Sequence, residues 1–200
     1  MSSIFGSLER AVKKVQKSLR PAQIIVLAFL AIVLLGGALL TLPAASQSGR
    51  PTSFLTGLFT ATSATCVTGL ILVDSGTYWS GFGQTVIVLL IQLGGLGFMT
   101  VATIFYLALN KKIGLRERMV MAQGFGLNSM SGVVGLVKNV LRGTFLVEGV
   151  GALILMFRFL PRVGFPRALW YGVFHSVSAF CNAGFDILGD VDAGGSLCRY

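Results

Sequence analysis

Charge is what this sequence has least of. Only 7 of its 200 residues are acidic, charged residues of both signs make up 12%, and His175 is its single histidine. Soluble globular chains carry about one quarter charged residues, so this composition excludes a free-standing soluble domain. Cysteine is also scarce: Cys66, Cys181 and Cys198 show none of the paired spacings that mark zinc or redox sites. No nucleophile stands in a recognisable relation to a base, and no cluster of metal ligands occurs. The chain therefore offers no catalytic residues, and nothing implies an enzyme or a covalent cofactor.

What is present is apolar and small. Hydrophobic residues make up 54%, there are 26 glycines, and the mean hydropathy is +0.81. The class is an all-α polytopic membrane protein, its first partner the lipid bilayer. Ile24 to Leu42 is an uncharged run that would extend about 28 Å as a helix, enough to cross a bilayer. A basic start and the Ala44-Ala45-Ser46 triplet resemble a secretory signal, but apolar signal regions run about 7–15 residues, so an uncleaved span is preferred. A second span is expected from Phe82 to Leu109 and a third from Gly143 to Leu160. Gly94, Gly95 and Gly97 lie inside the second, where small residues let helices approach closely.

The formal charge of +9 reports orientation rather than nucleic acid as a partner. Eleven of the sixteen Lys and Arg residues fall in the lead 1–23 and the connection 110–142. The positive-inside rule places both in the cytoplasm and the remaining loops outside.

A repeat organises the chain. Gly57-Leu58-Phe59, Ser63-Ala64, Cys66 and Gly69 recur as Gly172-Val173-Phe174, Ser178-Ala179, Cys181 and Gly184, every shared residue offset by 115. A repeat of this kind governs the fold reading. Each copy follows an apolar run and a proline-marked loop: Pro43 and Pro51 in one case, Pro161 and Pro166 in the other. Ser53 to Ala64 and Ala168 to Ala179 are too short to span, and suit half-helices that dip into the membrane. The expected organisation is a first helix–re-entrant loop–helix unit over 1–109, a connection over 110–142, and a second unit, without its closing helix, over 143–200.

Non-helical chain at membrane depth is tolerated only inside protein or beside water. A half-helix entering from outside aims the negative end of its dipole inward, which favours cations. Extended residues beyond it can turn carbonyls toward an axis and replace an ion's water shell. Gly69 and Gly184 suit that turn, since glycine takes positive φ without steric cost. Asp74, Asp186, Asp190 and Asp192 follow the two segments on the expected outer side, where acids would concentrate cations.

The segments Thr62 to Gly69, Gln92 to Met99 and Ser178 to Asp186 resemble the Trk/Ktr/HKT superfamily of potassium transporters, in particular the membrane subunit of bacterial Ktr-type systems. The resemblance implies four pore loops around one pore, with Gly69 and Gly184 as the first two filter glycines. It implies potassium ligands in the carbonyls of Cys66, Val67, Thr68, Cys181, Asn182 and Ala183, with sodium as the alternative ion. It also implies a multi-pass subunit of the cell membrane, a homodimer, and a cytoplasmic nucleotide-binding regulatory subunit, the 110–142 connection being the place to look for contact. Two loops instead of four make the chain read as the amino-terminal part of such a subunit. A less selective cation channel and a non-conducting scaffold are the alternatives.

Other polar residues take plainer readings. Glu148 suits snorkelling or structural pairing, with Arg142 nearby. His175 suits packing rather than proton sensing, and Gln84 and Gln92, on one helix face, suit bonds between helices. Cysteines placed at Asp74 and Lys112 should react with impermeant thiol reagents from opposite sides of the membrane; labelling of both from one side contradicts the orientation.

Overall fold

A computed structural model describes residues 21–97, 119 and 133–191, and within these the fold is helical with no β-strand. Most of the lead, residues 98–109 of the expected second span, most of the 110–142 connection, Asp192 and Cys198 lie outside the described residues. Five α-helices follow one another: α1 (Pro21–Thr41), α2 (Phe54–Thr65), α3 (Gly81–Gly95), α4 (Val133–Val163) and α5 (Phe165–Phe180). Short 3-10 turns lie at Pro43–Ala45 and Leu188–Asp190.

Local chemistry sets the helix boundaries. The Ser53 hydroxyl caps α2 by accepting the Thr56 N–H at 3.2 Å, and Ser80 caps α3 through the Gly83 N–H at 3.2 Å. Each cap satisfies a donor that the first turn leaves without an intrahelical partner. Pro166 stands in the first turn of α5, where its missing N–H costs little, and Gly164 joins α4 to α5 at φ +75°. The expected Pro161/Pro166 loop is thus one glycine long, with Pro161 in the last turn of α4.

The repeat extends from sequence into contacts. A Cβ at Gly57 would lie 2.8 Å from Gly37 O and 3.0 Å from Thr41 Oγ1. A Cβ at Gly172 would strike Ala152 O and lie 3.0 Å from the nitrogen of Met156. Gly36 faces Ala61, and Gly151 faces Ser176. Residues 36, 37, 41, 57 and 61 correspond to 151, 152, 156, 172 and 176 at the same offset of 115. So α2 crosses α1 as α5 crosses α4, with a glycine of the shorter helix against the backbone of the longer one.

The described helices depart from the expected spans in their bounds. The second span, expected unbroken from Phe82 to Leu109, stops at Gly95: Leu96 N–H donates to Gln92 O, Gly97 N–H to Gly94 O, and Gly97 has φ +74°. A glycine of left-handed conformation is a common way to end a helix. The third span starts ten residues before Gly143, so Lys138 and Arg142 sit on α4, both exposed. Among the described residues only α4, over Val134–Val163, is long and apolar enough to cross a membrane; the apolar stretches Ile25–Thr41 of α1 and Gly81–Gly95 of α3 are shorter. One described helix thus passes that test by itself, while residues 98–109 of the second expected span lie outside the described residues.

Buried residues of α4 form one stripe, Val137, Leu141, Thr144, Glu148, Ala152 and Met156, while Phe145, Leu146, Ile154 and Phe157 are more than half exposed. That spacing of three and four is one helical face. The loop 70–80 sends Trp79 fully into the core beside Leu40, Ile87, Ile91, Phe174 and Phe185. Gln47 N–H donates to Tyr78 O and Ser80 N–H to Ala45 O, both at 2.9 Å, fastening that loop to the one after α1. Substituting Gly57 or Gly172 by Val should destabilise the fold by about 1–3 kcal/mol, the usual cost of overpacking. Gly81, with open space around it, should tolerate Ala. Thermal unfolding in detergent checks this, and equal effects at all three sites contradict it.

Candidate functional site

The helices α2 and α5 end in the same way. Cys66 N–H donates to Thr62 O (2.8 Å), Val67 N–H to Ala64 O (3.3 Å) and Thr68 N–H to Ser63 O (3.0 Å). One repeat later, Cys181 N–H donates to Val177 O (2.9 Å), Asn182 N–H to Ala179 O (3.0 Å) and Ala183 N–H to Ser178 O (2.7 Å). A six-to-one bond enclosing a five-to-two bond is the Schellman closure, which requires a left-handed residue just after the cap. Val67 (φ +57°) and Asn182 (φ +59°) take that conformation, and Gly69 (φ +72°) and Gly184 (φ +71°) take it again two residues on.

This double left-handed turn leaves carbonyls unused. Among the described residues, no N–H or O–H donates to the backbone oxygens of Cys66, Val67, Thr68, Cys181, Asn182 or Ala183. Cys66, Thr68, Asn182 and Gly184 are exposed, Val67, Gly69 and Cys181 half-buried, and Ala183 buried. The two turns meet: a Cβ at Gly69 would lie 2.7 Å from Ala183 O and 3.4 Å from Gly184 Cα. Residues 115 apart in sequence are thereby neighbours, with the carboxyl end of a helix behind each. Such an end carries roughly half a negative elementary charge, so the place suits a cation. No group of three or more His, Cys, Asp or Glu side chains able to hold a metal occurs among the described residues.

Side chains hold the turns from behind. Ser63 and Ser178 occupy equivalent buried positions; Ser63 Oγ pairs with Thr68 Oγ1 at 2.9 Å, and the Ser178 hydroxyl donates to Phe185 O at 2.6 Å. His175 reaches the chain after the second turn: Ile187 N–H donates to Nε2 at 3.3 Å, which leaves Nδ1 to carry the proton and donate to Tyr171 O at 2.8 Å. Its ring also packs with Phe159, Tyr171 and Phe174. The broken end of α3 wedges beneath both turns, Gly94 against Thr65 O and Gly95 within 2.5 Å (as an added Cβ) of Cys181 Sγ.

The acids lie beyond the turns. Asp186 is 4% exposed and accepts the Leu188 N–H at 3.0 Å. Asp74 is half-buried, accepts the N–H groups of Gly76 and Thr77 at 2.9 Å, and presses its carboxyl group on Gly189. The loop after the first turn thus interlocks with the loop after the second. Two features escape sequence reasoning: the wedge made by Gly94 and Gly95, and the partner of Glu148. That partner is Gln92, whose Nε2 donates to both carboxylate oxygens at 2.9 and 3.1 Å, and not Arg142, which is exposed. Gln84, one face along, accepts from Trp170 Nε1 at 2.8 Å. Both glutamines therefore bond between helices.

Fold and site define a helical protein with a paired, carbonyl-rich turn at the ends of two short helices. Residues 2–191 match the family model TrkH, described as cation transport protein. The chain is 44% identical over 178 residues to the potassium/sodium uptake protein NtpJ of Enterococcus hirae, covering 89% of this chain and 40% of that protein. It is 45% identical over 170 residues to the Ktr system potassium uptake protein B of Bacillus subtilis, 85% and 38% of the two chains. With the Ktr system potassium uptake protein B of Vibrio alginolyticus the identity is 37% over 168 residues, 84% and 36%. The chain belongs to the TrkH family of cation transport proteins, and it spans about two fifths of the length of these curated relatives.

Val67 is the strained member of the pair, because a β-branched side chain in left-handed conformation is an outlier that asparagine tolerates. Val67→Asn should stabilise the fold by roughly 1 kcal/mol and Asn182→Val should destabilise it by a similar amount. Thermal unfolding in detergent reads both, and a destabilising Val67→Asn contradicts the assignment of strain.

Proposed function

We propose that this chain supplies two of the filter segments of a subunit that takes up potassium across the cell membrane. Gly69 and Gly184 are the filter glycines, and the carbonyls of Cys66, Val67, Thr68, Cys181, Asn182 and Ala183 are the ion ligands. The observation that carries this reading is the pair of like helix ends whose carbonyls, reached by no donor among the described residues, flank two touching glycines. Carbonyl oxygens without donors, in front of helix carboxyl ends, offer an alkali ion what its lost water shell provided. Sodium is the second candidate ion, since the Enterococcus hirae relative is named for both.

In this reading each filter belongs to a membrane helix–pore loop–membrane helix unit, the amino terminus is cytoplasmic, and further loops close the ring. Asp74 and Asp186 contribute negative charge at the outer mouth while holding their own loops, rather than forming a freely solvated ring of acids. Assembly as a homodimer with a cytoplasmic nucleotide-binding regulatory subunit follows from likeness to Ktr systems, two of whose components are among the relatives.

Gly69→Ser tests the filter. A serine there must adopt φ +72° and push its Cβ toward Ala183 O. In the full-length subunit, potassium uptake into cells lacking their own transporters should fall at least about tenfold, or sodium should enter, because tenfold is only about 1.4 kcal/mol. Gly81→Ser should leave uptake unchanged. Normal, potassium-selective uptake by Gly69→Ser contradicts the filter assignment.

A further inference from the structure

Glu148 is buried at 6% exposure in the packing stripe of α4, and it does more than fill space. Its carboxylate receives both of its hydrogen bonds from one amide group, Gln92 Nε2 on α3. Its backbone oxygen receives the Ser176 hydroxyl of α5 at 2.7 Å. Among the described residues no Lys, Arg or His pairs with it. Gln92 lies one helical turn before Gly95, and Gly95 is the residue set against Cys181 of the second filter turn. Ser176 lies five residues before Cys181 on α5. One acid therefore ties α3, α4 and α5 together just behind the second turn, and among the described residues no cation pairs with it.

We infer that Glu148 is a positioning residue of the second filter: its buried carboxylate supplies negative charge behind Cys181 and fixes the height of that turn through Gln92 and Ser176. The inference rests on the transport reading above and adds to it a side-chain contribution to cation affinity. In a partly buried site a unit charge acts over several ångströms with little screening. Neutralising it should weaken binding of any monovalent cation in front of it.

The experiment compares Glu148→Gln, Glu148→Asp and the exchanged pair Gln92→Glu with Glu148→Gln in the full-length subunit, at matched membrane levels, reading KM and maximal rate for potassium uptake. Glu148→Gln keeps the shape and a hydrogen bond to Gln92 but removes the charge. Its KM should rise about tenfold, with the unfolding midpoint in detergent within a few degrees of wild type. Glu148→Asp and the exchanged pair return a negative charge to the same place and should bring KM back to within about threefold of wild type. A wild-type KM in Glu148→Gln overturns the inference. So does a raised KM that the exchanged pair fails to restore while its unfolding midpoint stays near wild type. Wild-type uptake in the same cells tests transport itself, so the two readings fail separately.

Discussion

The structure depends on how two helices stop. A helix leaves its last carbonyls without partners, and at the ends of α2 and α5 a six-to-one closure satisfies some of them and then turns the chain left-handed. Among the described residues, nothing donates to the carbonyls beyond the closure. The fold repeats the arrangement and sets the two copies side by side, so that their carbonyls gather at one place. The glycines, the serines behind the turns and the broken end of α3 all serve this one arrangement.

Packing in the rest of the chain follows from the same constraint. For two short helices to end at one place, each must lie close on the long helix before it, and Gly57 and Gly172 permit that by presenting no side chain to the backbone of α1 and α4. Beneath the turns, Gly94 and Gly95 bring α3 to Thr65 and Cys181. Beyond them, Asp74 lies on Gly189 and His175 holds Ile187, so the loops leaving the two turns are fixed to one another and to α5. The outward faces of α1 and α4, with Leu35, Leu146 and Ile154 at 65–68% exposure, are apolar as a lipid-facing surface requires.

Much of this was legible in the sequence because the repeat is written in residue types with one physical meaning. Gly69 and Gly184 mark positive φ, Ser63 and Ser178 mark the buried hydroxyl behind each turn, and the offset of 115 predicts that both halves cross alike. The sequence pattern places the short helices to within about three residues at each end, a normal margin for helix ends. What stayed hidden depends on contacts distant in sequence. Hydropathy alone carries the second span through Gly95, since a glycine that ends a helix and one that packs it look alike. Lys138 and Arg142 look like loop residues until α4 turns them outward. Glu148 has a charged neighbour at Arg142 in sequence and a neutral partner at Gln92 in space, and only the crossing of α3 and α4 decides between them.

Val67 and Asn182 show how the two copies differ at equal backbone shape. Asparagine suits the left-handed position, valine does not, and the first turn therefore holds strain that the second lacks. Rubidium, a potassium substitute with a usable anomalous signal, can be located in crystals of the full-length subunit. A peak among the carbonyls of Val67, Thr68, Asn182 and Ala183, beside Gly69 and Gly184, is the expected result. Those oxygens bonded to protein donors, with no peak between them, would contradict the assignment of the paired turns as an ion site.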